Sequence, residues 1–175
     1  MSDYRFKKVA VLGAGVMGAQ IAAHLANAGV PVILFDLPAE AADKNVVVGK
    51  ALVNLGKLSP APLASKSLVQ NIEAANYDEH LERLKGCDLI IEAIAERIDW
   101  KKSLYAKILP YVSSRAVLAS NTSGLSINAL SEVLDESLHH RFCGVHFFNP
   151  PRYMHLVELI PCAKTDADVL SALEA

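Results

Sequence analysis

A histidine and a glutamate twelve residues apart are the side chains best suited to acid–base chemistry. His146 lies in the run Gly-Val-His-Phe-Phe-Asn-Pro, and Glu158 lies in Leu-Val-Glu-Leu-Ile. If both runs are strands that fold back about Arg152, the midpoint, these two residues oppose each other. The carboxylate would then fix the imidazole tautomer and leave the other ring nitrogen to take a proton from a substrate hydroxyl. A core histidine satisfied by a neighbouring acid explains the pair equally well.

A glycine-rich turn is the second chemical signal. Gly13, Gly15 and Gly18 follow a short apolar run and precede apolar residues at helical spacing. This is the context of a dinucleotide-binding fingerprint. The glycines permit a tight turn, a close approach of the pyrophosphate to the backbone, and close packing of helix on strand. Free N–H groups at the helix N-terminus would bind the anion.

An aspartate stands at the end of the next apolar run, 23 residues after Gly13. There Asp36 can accept hydrogen bonds from the adenosine ribose hydroxyls. The same carboxylate would repel a 2′-phosphate, and residues 37–39 supply no arginine to attract one. The sequence therefore predicts NAD, not NADP, as the cofactor. The alternative is a glycine turn followed by a solvated aspartate.

Polar residues 120–123, Ser-Asn-Thr-Ser, follow a later apolar run. Ligands of doubly wound sheets lie outside the carboxyl ends of the strands, so these side chains would face the cofactor crevice. The start of a helix accounts for part of the pattern equally well, with Ser126 or Asn128 beginning that helix.

The elements that must position these residues form a regular alternation. Helical patterns separate the apolar runs, and the most extended ones cover residues 38–54 and 97–112. Predicted parallel strands cover residues 8–12, 31–35, 69–73, 88–94 and 116–119. Such alternation implies parallel pairing and right-handed crossovers. The predicted fold class is α/β, a Rossmann-type doubly wound, mainly parallel sheet. Runs at 142–148 and 156–160 add a C-terminal antiparallel hairpin.

Composition excludes several classes of protein. A chain of 175 residues suffices for one domain of ordinary size, and its net charge of −2 gives no electrostatic case for nucleic-acid binding. No apolar run approaches the ~20 residues needed to span a bilayer, and residues 1–8 lack the apolar stretch of a secretory signal. Cys87, Cys143 and Cys162 fit small buried hydrophobes better than redox or metal sites. We expect a cytoplasmic protein with no membrane span and no metal.

Four motifs occur in the order of a known family. They are residues 13–18 (Gly-Ala-Gly-Val-Met-Gly), 91–96 (Ile-Glu-Ala-Ile-Ala-Glu), 120–123 (Ser-Asn-Thr-Ser) and 146–150 (His-Phe-Phe-Asn-Pro). Together they resemble the NAD-binding domain of the 3-hydroxyacyl-CoA dehydrogenases of fatty-acid β-oxidation, over nearly the whole chain. The resemblance implies oxidation of a 3-hydroxyacyl-CoA to the 3-ketoacyl-CoA with hydride transfer to NAD.

The resemblance also implies roles for individual residues. His146 would be the catalytic base, Glu158 its orienting carboxylate, and Ser123 a hydrogen-bond partner of the substrate oxygen. Among the cofactor contacts, Glu92 and Lys101 would lie near the nicotinamide and its ribose. The full set of expected cofactor contacts is Gly13, Gly15, Val16, Met17, Gly18, Asp36, Glu92, Glu96, Lys101 and Asn121.

Further parts of such an enzyme are expected outside this chain. In the family, a largely helical second domain carries an asparagine and completes the acyl pocket and the dimer. A helical pattern that opens at residue 166 still runs at Ala175, so we expect the natural protein to continue. We treat residues 1–175 as a single NAD-binding domain and expect a homodimer for the longer protein. This domain alone should bind NAD(H) but turn over acyl-CoA poorly, because the positioning groups are missing.

Two other functions stay open. One is a module that binds or senses NAD without catalysis. The other is a β-hydroxyacid dehydrogenase that acts on a small free acid. Such enzymes typically use a lysine of their helical domain, and the His-Phe-Phe-Asn-Pro motif argues against them.

The residues that contact CoA in the 3-hydroxyacyl-CoA dehydrogenase family have no clear match among residues 46–59 of this chain.

Overall fold

The computed structural model describes residues 6–175. The segment tested above for a secretory signal was residues 1–8, and its first five residues lie outside the described part. The described chain forms seven strands and five α-helices, with short 3₁₀ turns between them. In chain order they are β1 (Val9–Leu12), α1 (Val16–Asn27), β2 (Val32–Asp36), α2 (Val46–Leu55), β3 (Ile72–Asn76), β4 (Leu89–Glu92), α3 (Ile98–Ile108), β5 (Val117–Ser120), α4 (Ile127–Glu132), β6 (Phe142–Phe147), β7 (Val157–Pro161) and α5 (Ala167–Glu174).

All seven strands belong to one sheet, in the order β3-β2-β1-β4-β5-β6-β7. Every neighbouring pair is parallel except β6 and β7, which are antiparallel. The chain reverses its direction of winding at β1, which lies between β2 and β4. The predicted doubly wound sheet with a C-terminal antiparallel hairpin is therefore confirmed, and ligands bind such sheets at this switch point.

The two faces of the sheet bury separate cores. In β1, Val9 and Val11 pack with apolar side chains of α1, α2 and α5. Ala10 and Leu12 point to the other face and pack with α3 and α4. Both sides of β1 are fully covered, which explains why its sequence is a continuous apolar run. No helix within residues 6–175 is long and apolar enough to cross a membrane.

The second helix begins later than predicted. Residues 38–45 form bends and turns, and α2 starts at Val46 instead of Pro38. Polar side chains offer this segment other partners: Asp43 accepts a hydrogen bond from the Asn45 N–H, and the Asn45 side chain accepts one from Asn76. Such local bonds compete with helix formation. The β-branched start of α2 is tolerated because Val48 is completely buried.

The third strand begins three residues later than predicted. Residues 66–71 form a 3₁₀ turn, and the strand runs from Ile72 to Asn76. Ile72 and Ala75 pack on opposite faces of the sheet, whereas Val69 is only partly buried beside it. The fourth predicted strand ends at Glu92 instead of Ile94. The third helix ends at Ile108 and continues as a 3₁₀ turn that contains Pro110.

The hairpin has the predicted register. His146 on β6 lies directly opposite Glu158 on β7. The three cysteines are free and buried, also as predicted. Burial raises the pKa of Cys87 to about 11 and that of Cys143 to about 12. These thiols therefore stay protonated at neutral pH and pack as small apolar groups.

The turn between β1 and α1 depends on two glycines in direct apposition. Gly13 has a φ of +106°, a value that side chains disfavour. A Cβ atom on Gly18 would lie 1.8 Å from the Gly13 carbonyl oxygen, which is backbone and cannot move aside. Gly15 lies between them, and a Cβ atom there would meet nothing within 4 Å. Close packing therefore requires a glycine at position 18, whereas Gly15 faces open space.

We predict that Gly18→Ala destabilises the fold by about 1–3 kcal/mol or more, because the added methyl group overpacks the turn. Gly15→Ala is the matched control, with the same chemical change in the same turn, and should leave the free energy of unfolding nearly unchanged. Urea denaturation followed by circular dichroism measures both. Equal stability of the two variants would contradict the packing argument.

Candidate functional site

Two cavities lie side by side at the carboxyl edge of the parallel strands. The first has a volume of about 510 Å³ and contains the glycine turn and the end of β2. The second has a volume of about 470 Å³ and contains the end of β6 and the segment after β5. Both are bordered by Ala93, Ile94 and Ala95, which follow β4. The two cavities thus form adjoining halves of one crevice.

The first cavity has the features that a dinucleotide needs. Gly13, Gly15 and Asp36 line it. The carboxylate of Asp36 accepts hydrogen bonds from the N–H groups of Ala14 at 2.6 Å and Leu37 at 2.7 Å. A carboxylate has about four acceptor positions, so two stay open for ribose hydroxyls. The open space at Gly15 lets a phosphate reach the start of α1, and these residues fit an adenosine diphosphate moiety.

The second cavity gathers the polar residues predicted for chemistry. Glu96, Asn121, Ser123 and His146 line it, together with Met17 at the start of α1. Phe147, Phe148 and Asn149 complete the wall on the β6 side. The phenyl ring of Phe148 lies 4.7 Å from the imidazole of His146, centroid to centroid. The histidine therefore has an apolar neighbour on one side and the polar groups of the β5 segment in the same cavity.

His146 is held by the glutamate opposite it. Its Nδ1 lies 2.9 Å from Oε2 of Glu158. The imidazole is 17% exposed, whereas the glutamate side chain is 48% exposed at the edge of the sheet. A carboxylate accepts only, so Nδ1 carries the proton and Nε2 of the neutral ring becomes the acceptor. The pair has the geometry of a general base and its orienting acid.

Glu96 organises the segment that follows β5. Its carboxylate accepts hydrogen bonds from the Thr122 hydroxyl at 2.6 Å and from the Ser123 N–H at 2.7 Å, while the Ser123 hydroxyl lies 3.2 Å away. Partial burial pushes the pKa of Glu96 upward, but the hydrogen bonds from Thr122 and Ser123 and the charge of Lys101 outweigh it and lower the pKa below its ordinary value. Glu96 is therefore ionised at neutral pH and fixes Ser123 in the cavity wall.

A buried ionic cluster lies beneath the crevice. The carboxylate of Glu92, completely buried, accepts four hydrogen bonds: from Lys101 Nζ and the Ile94 N–H at 2.6 and 2.7 Å, and from the hydroxyls of Tyr105 and Ser120 at 2.8 Å each. Burial and the carboxylate raise the pKa of Tyr105 well above its ordinary value. Lys101 is 1% exposed and lies 4.0 Å from Glu96. The cluster joins β4, β5 and α3 and lies one layer below the cavity walls.

Side-chain amides fix the end of β6. Asn121 accepts a hydrogen bond from the Phe147 N–H at 2.9 Å, which ties the segment after β5 to β6. Gln20 on α1 donates to the Asn149 side chain at 3.3 Å. At the turn of the hairpin, Arg152 donates to the carbonyl oxygens of Ala61 and Leu63. The strand that carries His146 is thus anchored from three directions.

The structure separates the expected site residues into four groups. The crevice walls contain Gly13, Gly15, Met17, Asp36, Glu96, Asn121, Ser123 and His146. Glu158 stands behind His146, and Gly18 is buried in the turn. Glu92 and Lys101 have almost no exposed surface, so their expected position near the nicotinamide stays a prediction that these contacts do not support directly. Val16 is 70% exposed at the start of α1 and is not among the residues that line either cavity.

Both interpretations of residues 120–123 hold in part. Asn121 and Ser123 line the crevice, whereas Ser120 and Thr122 are buried and serve the two glutamates. The helix start lies further along, where the Ser126 hydroxyl accepts a hydrogen bond from the Ala129 N–H. Sequence reasoning missed Leu37, Tyr77 and Trp100 as cavity residues. Leu37 and Tyr77 each follow a strand directly, a signal that could have identified them, but Trp100 on α3 had none.

Comparison with known proteins gives the family context of this geometry. The profile of the family described as "3-hydroxyacyl-CoA dehydrogenase, NAD binding domain" matches residues 8–175. A Deinococcus radiodurans protein named "Probable 3-hydroxyacyl-CoA dehydrogenase" is 44% identical over 168 residues, which cover 95% of this chain and 48% of the relative. This match includes the glycine turn, the Asp36 strand and the hairpin.

Relatives are also found among larger enzymes and solved structures. The fatty acid oxidation complex subunit alpha of Psychrobacter cryohalolentis is 35% identical over 173 residues, covering 96% of this chain and 23% of that protein. The crystal structure of 3-hydroxybutyryl-CoA dehydrogenase from Escherichia coli K12 superposes with a TM-score of 0.79 at 31% identity, covering 97% of this chain and 35% of that one. The chain thus spans about half the length of the Deinococcus relative, and less of the others.

We predict that Lys101→Met destabilises the protein by about 3–5 kcal/mol, because it leaves the Glu92 charge buried without its cation. Lys102→Met is the matched control, since Lys102 is the exposed neighbour on the same helix. Thermal and urea denaturation of both variants test this. If Lys101→Met lowers the free energy of unfolding no more than Lys102→Met does, the cluster contributes little to stability.

Acid should release the Ser123 segment. Because the pKa of Glu96 is lowered in the folded protein, its stabilising contribution is present above the ordinary glutamate value and is lost as pH falls through the lowered one. The Ser123 amide resonance should therefore titrate with a midpoint below about 4.3, the usual value for glutamate. NMR spectra recorded across this range measure it, and Glu96→Gln should abolish the titration. A midpoint at or above the usual value would contradict the assigned hydrogen bonds.

Proposed function

The chain belongs to the 3-hydroxyacyl-CoA dehydrogenase family, as its NAD-binding domain, and we propose that it supplies this half of an enzyme that oxidises a 3-hydroxyacyl-CoA to the 3-ketoacyl-CoA in fatty-acid β-oxidation. The observation that carries the proposal is the His146–Glu158 pair, 2.9 Å apart, in a cavity that adjoins the dinucleotide turn. A base, its orienting acid and a cofactor cradle meet in one crevice.

His146 acts as the base for the substrate hydroxyl. Nε2 accepts the proton of the 3-hydroxyl group, and Glu158 stabilises the imidazolium through the hydrogen bond at Nδ1. When bound, NAD would accept the hydride that leaves carbon 3, the carbon that bears this hydroxyl group. In the reverse direction, the imidazolium returns its proton to the keto oxygen. The ring is only 17% exposed, so little bulk water competes for this proton.

Ser123 positions the substrate oxygen. Its hydroxyl lines the cavity with His146, and its N–H is fixed by Glu96. The Ser123 hydroxyl donates its one proton to Glu96 at 3.2 Å, so it must rotate away from that carboxylate to donate to the substrate oxygen of the alcohol or the ketone. Asn121 stays engaged with the Phe147 N–H and keeps β6 beside this segment. Asn121 also lines the cavity, and its expected contact with the cofactor stays a prediction.

The names of the relatives support the acyl-CoA substrate. The Escherichia coli structure is of a 3-hydroxybutyryl-CoA dehydrogenase, and the Psychrobacter protein is part of a fatty acid oxidation complex. Both proteins are longer than this chain. The helical domain, a homodimer of the longer protein and a cytoplasmic location stay predictions. The acyl chain length that the enzyme prefers depends on that further domain.

We predict that His146→Ala lowers kcat for 3-hydroxybutyryl-CoA oxidation by about 10²–10⁴, the usual contribution of a general base, while NAD affinity changes little. The assay follows NADH formation in the longer protein that we expect to contain this chain. His155→Ala is the matched control, since His155 is exposed on the same hairpin.

The outcomes separate the competing functions. Wild-type protein that binds NAD yet never oxidises the acyl-CoA would favour a binding or sensing module. Turnover of free 3-hydroxybutyrate in preference to its CoA ester would favour a β-hydroxyacid dehydrogenase. Equal kcat values for the His146 and His155 variants would refute the assigned base.

A further inference from the structure

We propose that Trp100 forms the wall on which the adenine base of the dinucleotide stacks, and that it thereby determines affinity for the adenosine half of the cofactor. The inference rests on the proposed dinucleotide site. Trp100 is half-exposed, and it is the single tryptophan of the chain. No motif in the sequence pointed to it.

The position of Asp36 determines where the base must lie. Its carboxylate takes the adenosine ribose, so the base attached to that ribose extends away from the glycine turn. Besides the glycine turn and Asp36, the first cavity is lined by Leu37, Trp100, Leu104 and Lys107. His146 lines the second cavity, which is the reactive end of the crevice. The part of the first cavity that contains Trp100 is therefore the part that the base can fill.

The surfaces available there are flat and apolar. Leu37 is 65% exposed and Trp100 is 50% exposed, although both are large hydrophobic side chains that border the cavity. Exposed apolar side chains gathered at a cavity indicate a binding surface. An indole face is well suited to a purine, because bases stack on aromatic rings through their π faces.

An exposed ion pair lies against the indole ring. The Arg97 guanidinium lies 4.6 Å from the centre of the Trp100 ring. Arg97 is itself fixed by Asp99, with Nε–Oδ1 and Nη2–Oδ2 distances of 3.1 and 2.6 Å. Both side chains of this pair are more than half exposed, so the pair and the cation–π contact bias the orientation of the ring but do not fix it.

Lys107, which lines the first cavity, is paired with a carboxylate of the protein. Lys107 Nζ lies 3.5 Å from Oδ1 of Asp78 and 6.0 Å from the ring of the buried Tyr77. The Asp36 carboxylate lines the cavity at the expected ribose position, so its negative charge disfavours a 2′-phosphate on that ribose. The base subsite thus takes an unphosphorylated adenosine, in agreement with NAD as the cofactor.

The test compares nucleotide affinities of wild type, Trp100→Ala and Trp100→Phe by isothermal titration calorimetry with AMP, ADP-ribose and NAD. Trp100→Ala should weaken all three by about tenfold, the lower end of a base–aromatic stacking contribution. Trp100→Phe should restore most of the loss. Ile98→Ala is the matched control, because Ile98 is exposed on the first turn of α3 but does not line the cavity, and it should bind like wild type. Intrinsic fluorescence of wild type should change saturably with ADP-ribose, which lacks the nicotinamide.

Two failures can be told apart. Wild-type protein that binds NAD normally, with Trp100→Ala equal to Ile98→Ala, overturns the adenine wall and leaves the proposed function intact. Wild-type protein that binds none of the three nucleotides overturns the cofactor site and, with it, this inference. Circular dichroism of each variant confirms that the fold is retained, as expected for substitutions of exposed side chains.

Discussion

Parallel pairing of β1 with both β2 and β4 is the constraint on which the site depends. Parallel strands end at the same edge of a sheet, so the segments that follow β1, β2, β4 and β5 meet there although they are far apart in sequence. The parallel pairing of β5 with β6 brings His146 to the same edge. The apposition of Gly13 and Gly18 then brings α1 close enough for its N-terminus to border both cavities. Cofactor cradle and candidate base are neighbours because of topology, not because of their spacing in the chain.

The charges of the crevice are arranged in two layers. In the lower layer, the carboxylate of Glu92 is enclosed by Lys101 and three further donors and joins two strands to α3. In the upper layer, Glu96 lies 4.0 Å from the same lysine and fixes Ser123 in the cavity wall. The buried cation thus supports both glutamates. A buried ion pair contributes little net stability compared with apolar packing, but it fixes the geometry of the groups around it. Here those groups carry the polar side of the site.

Much of this arrangement could be predicted from the sequence, because it follows from local patterns. The glycine turn, the aspartate after β2 and the opposition of His146 and Glu158 all follow from strand periodicity and short-range spacing. The predicted ends of elements were wrong where side chains compete with the backbone for hydrogen bonds, as Asp43 and Asn45 do before α2. Burial of Glu92 and Lys101 and the exposure of Trp100 depend on how α3 packs against the sheet. No local pattern records that packing, so these features required the structure.

A crystal structure of the chain with bound NAD would show whether the cofactor lies beside His146. We expect the nicotinamide ring in the cavity bordered by Ser123 and His146, the adenosine ribose on Asp36, and the Nδ1 hydrogen bond from His146 to Glu158 preserved. A nicotinamide ring lying outside that cavity, with the His146 imidazole turned away from Glu158, would contradict it. The chain would then hold a dinucleotide without placing it beside a base.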